Sequence, residues 1–146
     1  MINRKGLTAI ELMAVMSIIG IILAFGVISY RNLMVKANVE SDVRQVLAMV
    51  STARQYSFTR KIPLLVAVDG KTVRIETEDG NLYQGLSFTG STDFETEDDI
   101  TFVSGFVTVT GTIRSGGGSR AEYDCILFET NRIKAGRFVN GACDAR

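Results

Sequence analysis

The sequence contains no histidine, and its 146 residues include a single proline and two cysteines. The absence of histidine excludes catalysis through an imidazole, and it excludes zinc sites that combine cysteine with histidine. No nucleophile–base pair is recognisable among the other residues, so we expect neither an enzyme nor a bound metal or cofactor. The 16 basic and 16 acidic residues give a formal net charge of 0. The overall charge therefore does not favour nucleic acid or an anionic membrane as the main partner.

The spacing of the two cysteines, Cys125 and Cys143, is not that of a pair of metal ligands. Two interpretations remain open. Free cysteine is often buried in protein cores, so both thiols are compatible with a reduced core. A disulfide is the better interpretation if this part of the chain lies outside the cytosol, where disulfides persist.

A long apolar run covers residues 12–28, and Ser17 carries its only polar side chain. Arg4 and Lys5 precede the run, so by the positive-inside rule the N-terminus is cytoplasmic and the rest of the chain crosses the membrane. The run is longer than the ~7–15 apolar residues of a secretory signal peptide. No plain small-x-small cleavage site follows it. We therefore expect a membrane helix, and an uncleaved anchor for a binding module is the alternative.

Glu11 stands at the head of this apolar run. A charge at the centre of a bilayer costs about 2.5–3.5 kcal/mol, so the position of this carboxylate needs a reason. Thr8 and Glu11 match a capping box, and an acidic residue suits the positive end of the helix dipole. Capping explains why a helix begins here, but it does not explain why the helix begins inside the apolar segment.

Residues 4–11, with the sequence RKGLTAIE and the apolar run after it, resemble the class III signal of type IV pilins and type II secretion pseudopilins. In that family a prepilin peptidase cuts after the glycine that ends a short basic leader and methylates the new N-terminal amine. The resemblance implies cleavage between Gly6 and Leu7 and N-methylation of Leu7. It also implies that Glu11 is an assembly residue, whose carboxylate attracts the Leu7 amine of a neighbouring subunit in an apolar helix bundle. Leu7 replaces the commoner phenylalanine, and Ala9 replaces a larger apolar residue.

The remaining pattern predicts an α+β fold with a long N-terminal helix packed on an antiparallel sheet, which is also the pilin architecture. We divide the chain into a cleaved leader (1–6), a transmembrane and filament-core helix (7–30), an amphipathic helix half (31–62) and a β-rich head (63–146). The single proline, Pro63, predicts the end of the helix near Arg60. Five apolar residues at steps of three and four predict the buried helix face: Val39, Val43, Val46, Val50 and Ala53.

A period of two after Pro63 predicts about seven strands. Asp69 and Gly70 are predicted to form the two-residue turn of a hairpin between strands at 64–68 and 72–77. The stretch 78–81 is predicted as a second turn. The other predicted strands cover residues 82–88, 100–103, 106–113, 123–128 and 133–139.

The long helix, the many short strands and the segment DITFVSGFVTVTGTI resemble minor pilins and pseudopilins of the GspH and FimT type. The segment GRFVNGAC resembles the C-terminal Gly-Arg segment of that group, where Gly-Arg-x-Arg serves DNA capture in FimT-like proteins. Here Val139 stands where the second arginine of that motif would be. We interpret the basic residues Arg132, Lys134 and Arg137 as a solvated rim, with a nucleic-acid contact as the alternative.

The acidic stretch from Asp93 to Asp99 has the carboxylate density of a calcium loop but not the spacing of an EF-hand, so we interpret it as a solvated loop.

Taken together, the resemblance implies a structural subunit of a type IV pilus or type II secretion pseudopilus in the bacterial inner membrane, with its head on the periplasmic side. The implied partners are prepilin peptidase, other subunits, the assembly platform and, before assembly, lipid. The alternatives are a major pilin whose C-terminal loop is closed by a disulfide, and a DNA-capturing minor pilin.

Overall fold

The computed structural model describes residues 9–117 and 121–145, without the side chains of residues 24, 25 and 28. These residues form one long helix and eight strands. The elements are α1 (Ala9–Arg60), β1 (Leu64–Glu76), β2 (Leu82–Thr96), β3 (Ile100–Val103), β4 (Phe106–Val107), β5 (Gly111–Ser115), β6 (Cys125–Phe128), β7 (Ile133–Val139) and β8 (Ala142–Ala145). The chain divides into two compact units, residues 1–34 and 35–146, and α1 contributes to both.

The eight strands form a single antiparallel sheet in the order β4-β3-β1-β2-β5-β6-β7-β8. The second part of α1 and the sheet enclose one hydrophobic core. All five helix residues that the periodicity selects are buried: Val39, Val43, Val46, Val50 and Ala53. On the sheet side, Phe102 of β3 and Phe128 of β6 are fully buried, and their ring centroids lie 6.3 Å apart. The predicted α+β class, with a helix packed on an antiparallel sheet, is confirmed.

The helix ends at Arg60, as Pro63 predicts. Lys61 has a positive φ of 56°, which is the left-handed conformation that commonly follows the last helical residue. The hydroxyl of Ser57 donates a hydrogen bond of 2.9 Å to the carbonyl of Ile62 and so holds the chain as it leaves the helix. Arg60 places a positive charge in the last turn, where the helix dipole favours it.

The predicted hairpin around Asp69 and Gly70 is wrong, because residues 64–76 form one strand. Before this point β1 pairs with β3, and from Gly70 onward it pairs with β2. The register shifts between Gly70 and Thr72, and Gly70 has a φ of 55°. A bulge adds one residue and moves the buried side chains from even to odd positions, whereas a turn would reverse the chain. The glycine therefore serves the bulge.

The other strand predictions hold in part. The predicted turn at 78–81 connects β1 to β2, but β2 continues to Thr96 and so includes Asp93 and Glu95 of the acidic stretch. The stretch 106–113 is split between β4 and β5, and β6 begins at Cys125. Strand β8 is missing from the prediction, although Asn140 and Gly141 are a strong hairpin signal.

Candidate functional site

The first part of α1 exposes nearly every large apolar side chain that the structure describes there. Ile10 is 77% exposed and Ile22 is 64% exposed. Up to position 35 the others are Leu12, Met13, Val15, Met16, Ile18, Ile19, Ile21, Leu23, Val27, Tyr30, Leu33, Met34 and Val35. Soluble monomers rarely present an apolar surface of this extent, so it marks a surface that another molecule covers. Among the residues described, no stretch of helix combines the length and the apolar character of a membrane span.

Glu11 lies in the first turn of α1 and is exposed. It is the only charged residue between Ala9 and Tyr30, so the apolar surface carries one carboxylate near its N-terminal end. The two residues of the predicted processing site, Gly6 and Leu7, lie outside the described residues, as does Thr8 of the capping box. The geometry of cleavage and of capping therefore stays a prediction.

The second part of α1 carries a buried carboxylate that sequence reasoning missed. Oδ2 of Asp42 accepts hydrogen bonds from the backbone N–H of Ser91 at 2.8 Å and of Thr92 at 2.9 Å, and from the hydroxyl of Thr92 at 2.8 Å. These donors lie where β2 departs from its register with β1, between the paired residues Thr89 and Phe94. Asp42 therefore joins α1 to an irregular part of the sheet whose N–H groups would otherwise lack partners.

Two further helix residues contact the segment before β6. Oε1 of Glu40 accepts a hydrogen bond of 2.9 Å from the backbone N–H of Glu122. One turn along the helix, the guanidinium of Arg44 lies over the ring of Tyr123, 5.6 Å from its centroid. Together with Asp42, these contacts attach this part of α1 to two separate places in the head.

Near its C-terminal end, α1 is attached to the β3–β4 turn and to the β6–β7 turn. Arg54 donates from Nε to the carbonyl of Gly105 at 2.8 Å and from a terminal nitrogen to the carbonyl of Asn131 at 3.0 Å. The N–H of Gly105 donates to the buried Ser57 hydroxyl at 3.1 Å. A Cβ on Gly105 would lie 2.6 Å from Cβ of Phe58, so this close approach requires glycine.

Cys125 and Cys143 form a disulfide, so the interpretation as free thiols is wrong. Cys125 lies in β6 and Cys143 in β8, with β7 between them, yet their Cα atoms are only 6.0 Å apart. Strands two places apart in a flat sheet lie about 9–10 Å apart, so β8 must bend back toward β6. Gly136 of β7 allows this bend, because a Cβ there would clash with the carbonyl oxygen of Asp144 in β8. The glycine of the Gly-Arg segment thus has a structural role.

The structure does not gather the three basic residues Arg132, Lys134 and Arg137 into one surface. Arg132 lies in the β6–β7 turn, while Lys134 and Arg137 are three residues apart in β7 and so face opposite sides of the sheet. Arg137 pairs in register with Asp144, and both line a small cavity of about 50 Å³ together with Glu122. Two carboxylates beside Arg137 oppose the binding of a phosphate.

The acidic stretch is partly neutralised by a basic residue. Arg114 of β5 forms ion pairs with Glu95 at 3.1 Å and with Glu97 at 3.9 Å. The hydroxyl of Thr96 donates to the carbonyl of Asp98 at 2.8 Å and shapes the turn that leads to β3. In residues 9–117 and 121–145 there is no group of three or more acidic, histidine or cysteine side chains that could hold a metal ion.

The anchoring residues Asp42 and Ser57 could have been found from the helical period. Asp42 lies three residues after Val39 and four before Val46, and Ser57 lies four after Ala53, so both occupy the buried face. A polar residue at such a position is expected to have hydrogen-bond partners. The identity of the partners depends on the tertiary fold.

The arrangement of one long helix on this antiparallel sheet is similar to that of solved structures. Two crystal forms of the type IV minor pilin FimU from Pseudomonas aeruginosa superpose on the chain. One has a TM-score of 0.52 at 14% identity and covers 68% of this chain and 88% of FimU. The other has a TM-score of 0.53 at 15% identity and covers 67% of this chain and 92% of FimU. No protein-family model matches the chain, and neither does any curated protein. At such low identity the likeness establishes a type IV pilin-like fold.

Proposed function

We propose that the chain is a structural subunit, a minor pilin or pseudopilin, of a type IV pilus or type II secretion pseudopilus. The observation that carries the proposal is the exposed apolar surface on the first part of α1, in a chain whose fold is pilin-like. Such a surface is stable only when it is covered, and neighbouring subunits with the same helix can cover it in a bundle. Before assembly, inner-membrane lipid covers it, and Arg4 and Lys5 keep the N-terminus cytoplasmic.

Maturation is the next step of the proposal. Prepilin peptidase removes residues 1–6 and methylates the amine of Leu7, after which the assembly platform transfers the subunit from the membrane into the filament. The support is the match of residues 4–11 to the family signal, including the glycine at the cleavage point. The head then lies on the periplasmic side, where the Cys125–Cys143 disulfide persists.

In the filament, Glu11 sets the position of each subunit. Its carboxylate meets the positively charged Leu7 amine of the neighbour inside an apolar bundle, where the low dielectric strengthens their attraction. A subunit in the wrong register leaves one of the two charges buried without its partner, which costs several kcal/mol. The exposed position of Glu11 in the first helical turn supports this role.

Processing provides the first experiment. The full chain is coexpressed with and without a prepilin peptidase, and the intact mass of the membrane-extracted product is measured. We expect loss of residues 1–6 and addition of one methyl group only when the peptidase is present. Gly6→Leu should block both changes, because the bulkier side chain does not fit the position before the cut bond. Ala9→Leu is the matched control, because position 9 does not flank the cut bond, and this variant should be processed normally.

An unchanged mass of the wild type in the presence of active peptidase would contradict the proposal. It would favour the rival function, in which the apolar helix is a permanent anchor for a binding module. This experiment tests maturation alone, and the role of Glu11 is tested separately by filament yield.

A further inference from the structure

The turn between β7 and β8 consists of Asn140 and Gly141, and both residues are exposed. Their φ angles are 53° and 84°, so both are positive as a two-residue hairpin turn requires. Asn140 is the only one of six asparagines that precedes a glycine. The other five, which precede larger residues, are Asn3, Asn32, Asn38, Asn81 and Asn131.

We propose that Asn140 is a site of spontaneous deamidation, which converts this turn into an acidic one as the protein ages. The backbone nitrogen of Gly141 loses its proton and attacks Cγ of Asn140. A bond forms between that nitrogen and Cγ, the bond from Cγ to Nδ2 breaks, and ammonia leaves. Solvent water then opens the cyclic succinimide. Breaking the new bond gives aspartate, and breaking the original backbone bond gives isoaspartate.

The local structure leaves the reacting atoms accessible. A Cβ built on Gly141 would meet no atom within 4 Å outside the two neighbouring residues, so no other part of the head packs against this side of the turn. Glycine also gives position 141 the freedom to leave the turn conformation and reach the geometry of ring closure. Hairpin tips open locally at much lower free energy than the core, which makes that excursion accessible in the folded protein.

The disulfide explains how the chain can tolerate the product. Cys143 follows the turn by two residues and is bonded to Cys125 in β6, so β8 stays attached when the turn changes. Isoaspartate would add one methylene to the backbone of a connection that has only two residues. Deamidation also changes the formal net charge from 0 to −1, which separates the product by isoelectric focusing.

The experiment follows the full-length oxidised protein in detergent micelles during several weeks at mildly alkaline pH and physiological temperature. Isoelectric focusing measures the acidic species, and peptide mass mapping locates the changed asparagine. We expect an acidic species that grows with time and maps to Asn140. Asn140→Gln keeps the amide but lengthens the side chain, so it should slow the change at this position roughly tenfold or more, equivalent to about 1.4 kcal/mol in the activation free energy.

Asn81 is the internal control, because it is exposed in the connection between β1 and β2 but precedes Leu82. It should keep its amide over the same period. An acidic species that maps to Asn81 and not to Asn140 would overturn the proposal. The absence of an acidic species from the folded protein would also overturn the proposal. This holds even if a second sample, reduced and unfolded in urea, does deamidate. The outcome is independent of filament assembly, so it does not depend on the proposed function.

Discussion

Between Ala9 and Met34 the large apolar side chains that the structure describes in α1 are exposed, whereas from Val39 onward those at helical spacing are buried. Residue type does not explain the difference, because Val15 is 48% exposed and Val46 is 0% exposed. The second segment is covered by the sheet of its own chain. The first segment presents the exposed apolar surface that, as we propose, neighbouring subunits cover. One helix thus combines a face buried in its own chain with an exposed apolar surface.

The acidic residues of the two segments differ in the same way. Asp42 receives three hydrogen bonds from Ser91 and Thr92 of its own chain and is nearly inaccessible to solvent. Glu11 is exposed, and its proposed partner is the Leu7 amine of another subunit. A carboxylate needs partners wherever it is buried, whether by its own chain, as for Asp42, or by the proposed neighbours, as for Glu11. The comparison therefore predicts that Asp42 controls the stability of the head, while Glu11 controls assembly.

The largest effect is expected from Glu11→Ala, which should abolish filaments and leave membrane insertion and processing intact. Burying the neighbour's amine without a partner costs roughly 3–5 kcal/mol. Glu11→Gln keeps the hydrogen-bonding shape and should be milder. The measurement compares the sheared filament fraction with the mature subunit that stays in the membrane. Normal filament yield from Glu11→Ala would favour capping as the role of this residue.

Asp42→Ala should destabilise the head by about 3–4 kcal/mol, because three donors lose their acceptor in a largely buried site. Asp42→Asn retains one oxygen acceptor and should cost less. Thermal unfolding followed by circular dichroism in detergent measures the change. Ser41→Ala, at the exposed neighbouring position, is the control and should stay within about 0.5 kcal/mol of the wild type. Equal effects of the two alanine variants would show that Asp42 does not anchor the sheet.

Removal of the disulfide measures how much of the stability of the head comes from the covalent link between β6 and β8 and not from packing against α1. Replacing Cys125 and Cys143 by alanine together should cost about 3 kcal/mol, since the crosslink joins residues 18 positions apart in the unfolded chain. The measurement is the unfolding midpoint in denaturant, and wild-type protein with reductant should match the double variant. An unchanged midpoint would mean that hydrogen bonding to β7 retains β8 without the crosslink.

The smallest effects come from a matched pair of valines. Val46→Ala removes buried side-chain volume and should cost about 2 kcal/mol, whereas Val15→Ala should change the stability of the head by less than about 0.5 kcal/mol. The same unfolding assay measures both variants. Similar losses from both would break the distinction between the two segments of α1.

The sequence predicted the features that depend on local pattern. The buried face from Val39 to Ala53 followed from the helical period, and the end of α1 followed from Pro63. The hairpin at Gly70 was wrong because a bulge and a turn use the same residue types, and only the pairing partners of β1 distinguish them. The disulfide was one of two open interpretations, since a thiol pair in sequence carries no information about distance in space.

By itself, the sequence determined that α1 is mainly apolar in its first part and amphipathic in its second, since the composition and the period of neighbouring residues fix both properties. Only the tertiary structure decided which distant groups meet. It placed the donors of β2 against Asp42 and brought β8 back over Gly136 so that the cysteines could bond. These pairings depend on strand order and register, which are fixed by the packing of the whole sheet against the helix and not by any short stretch of residues.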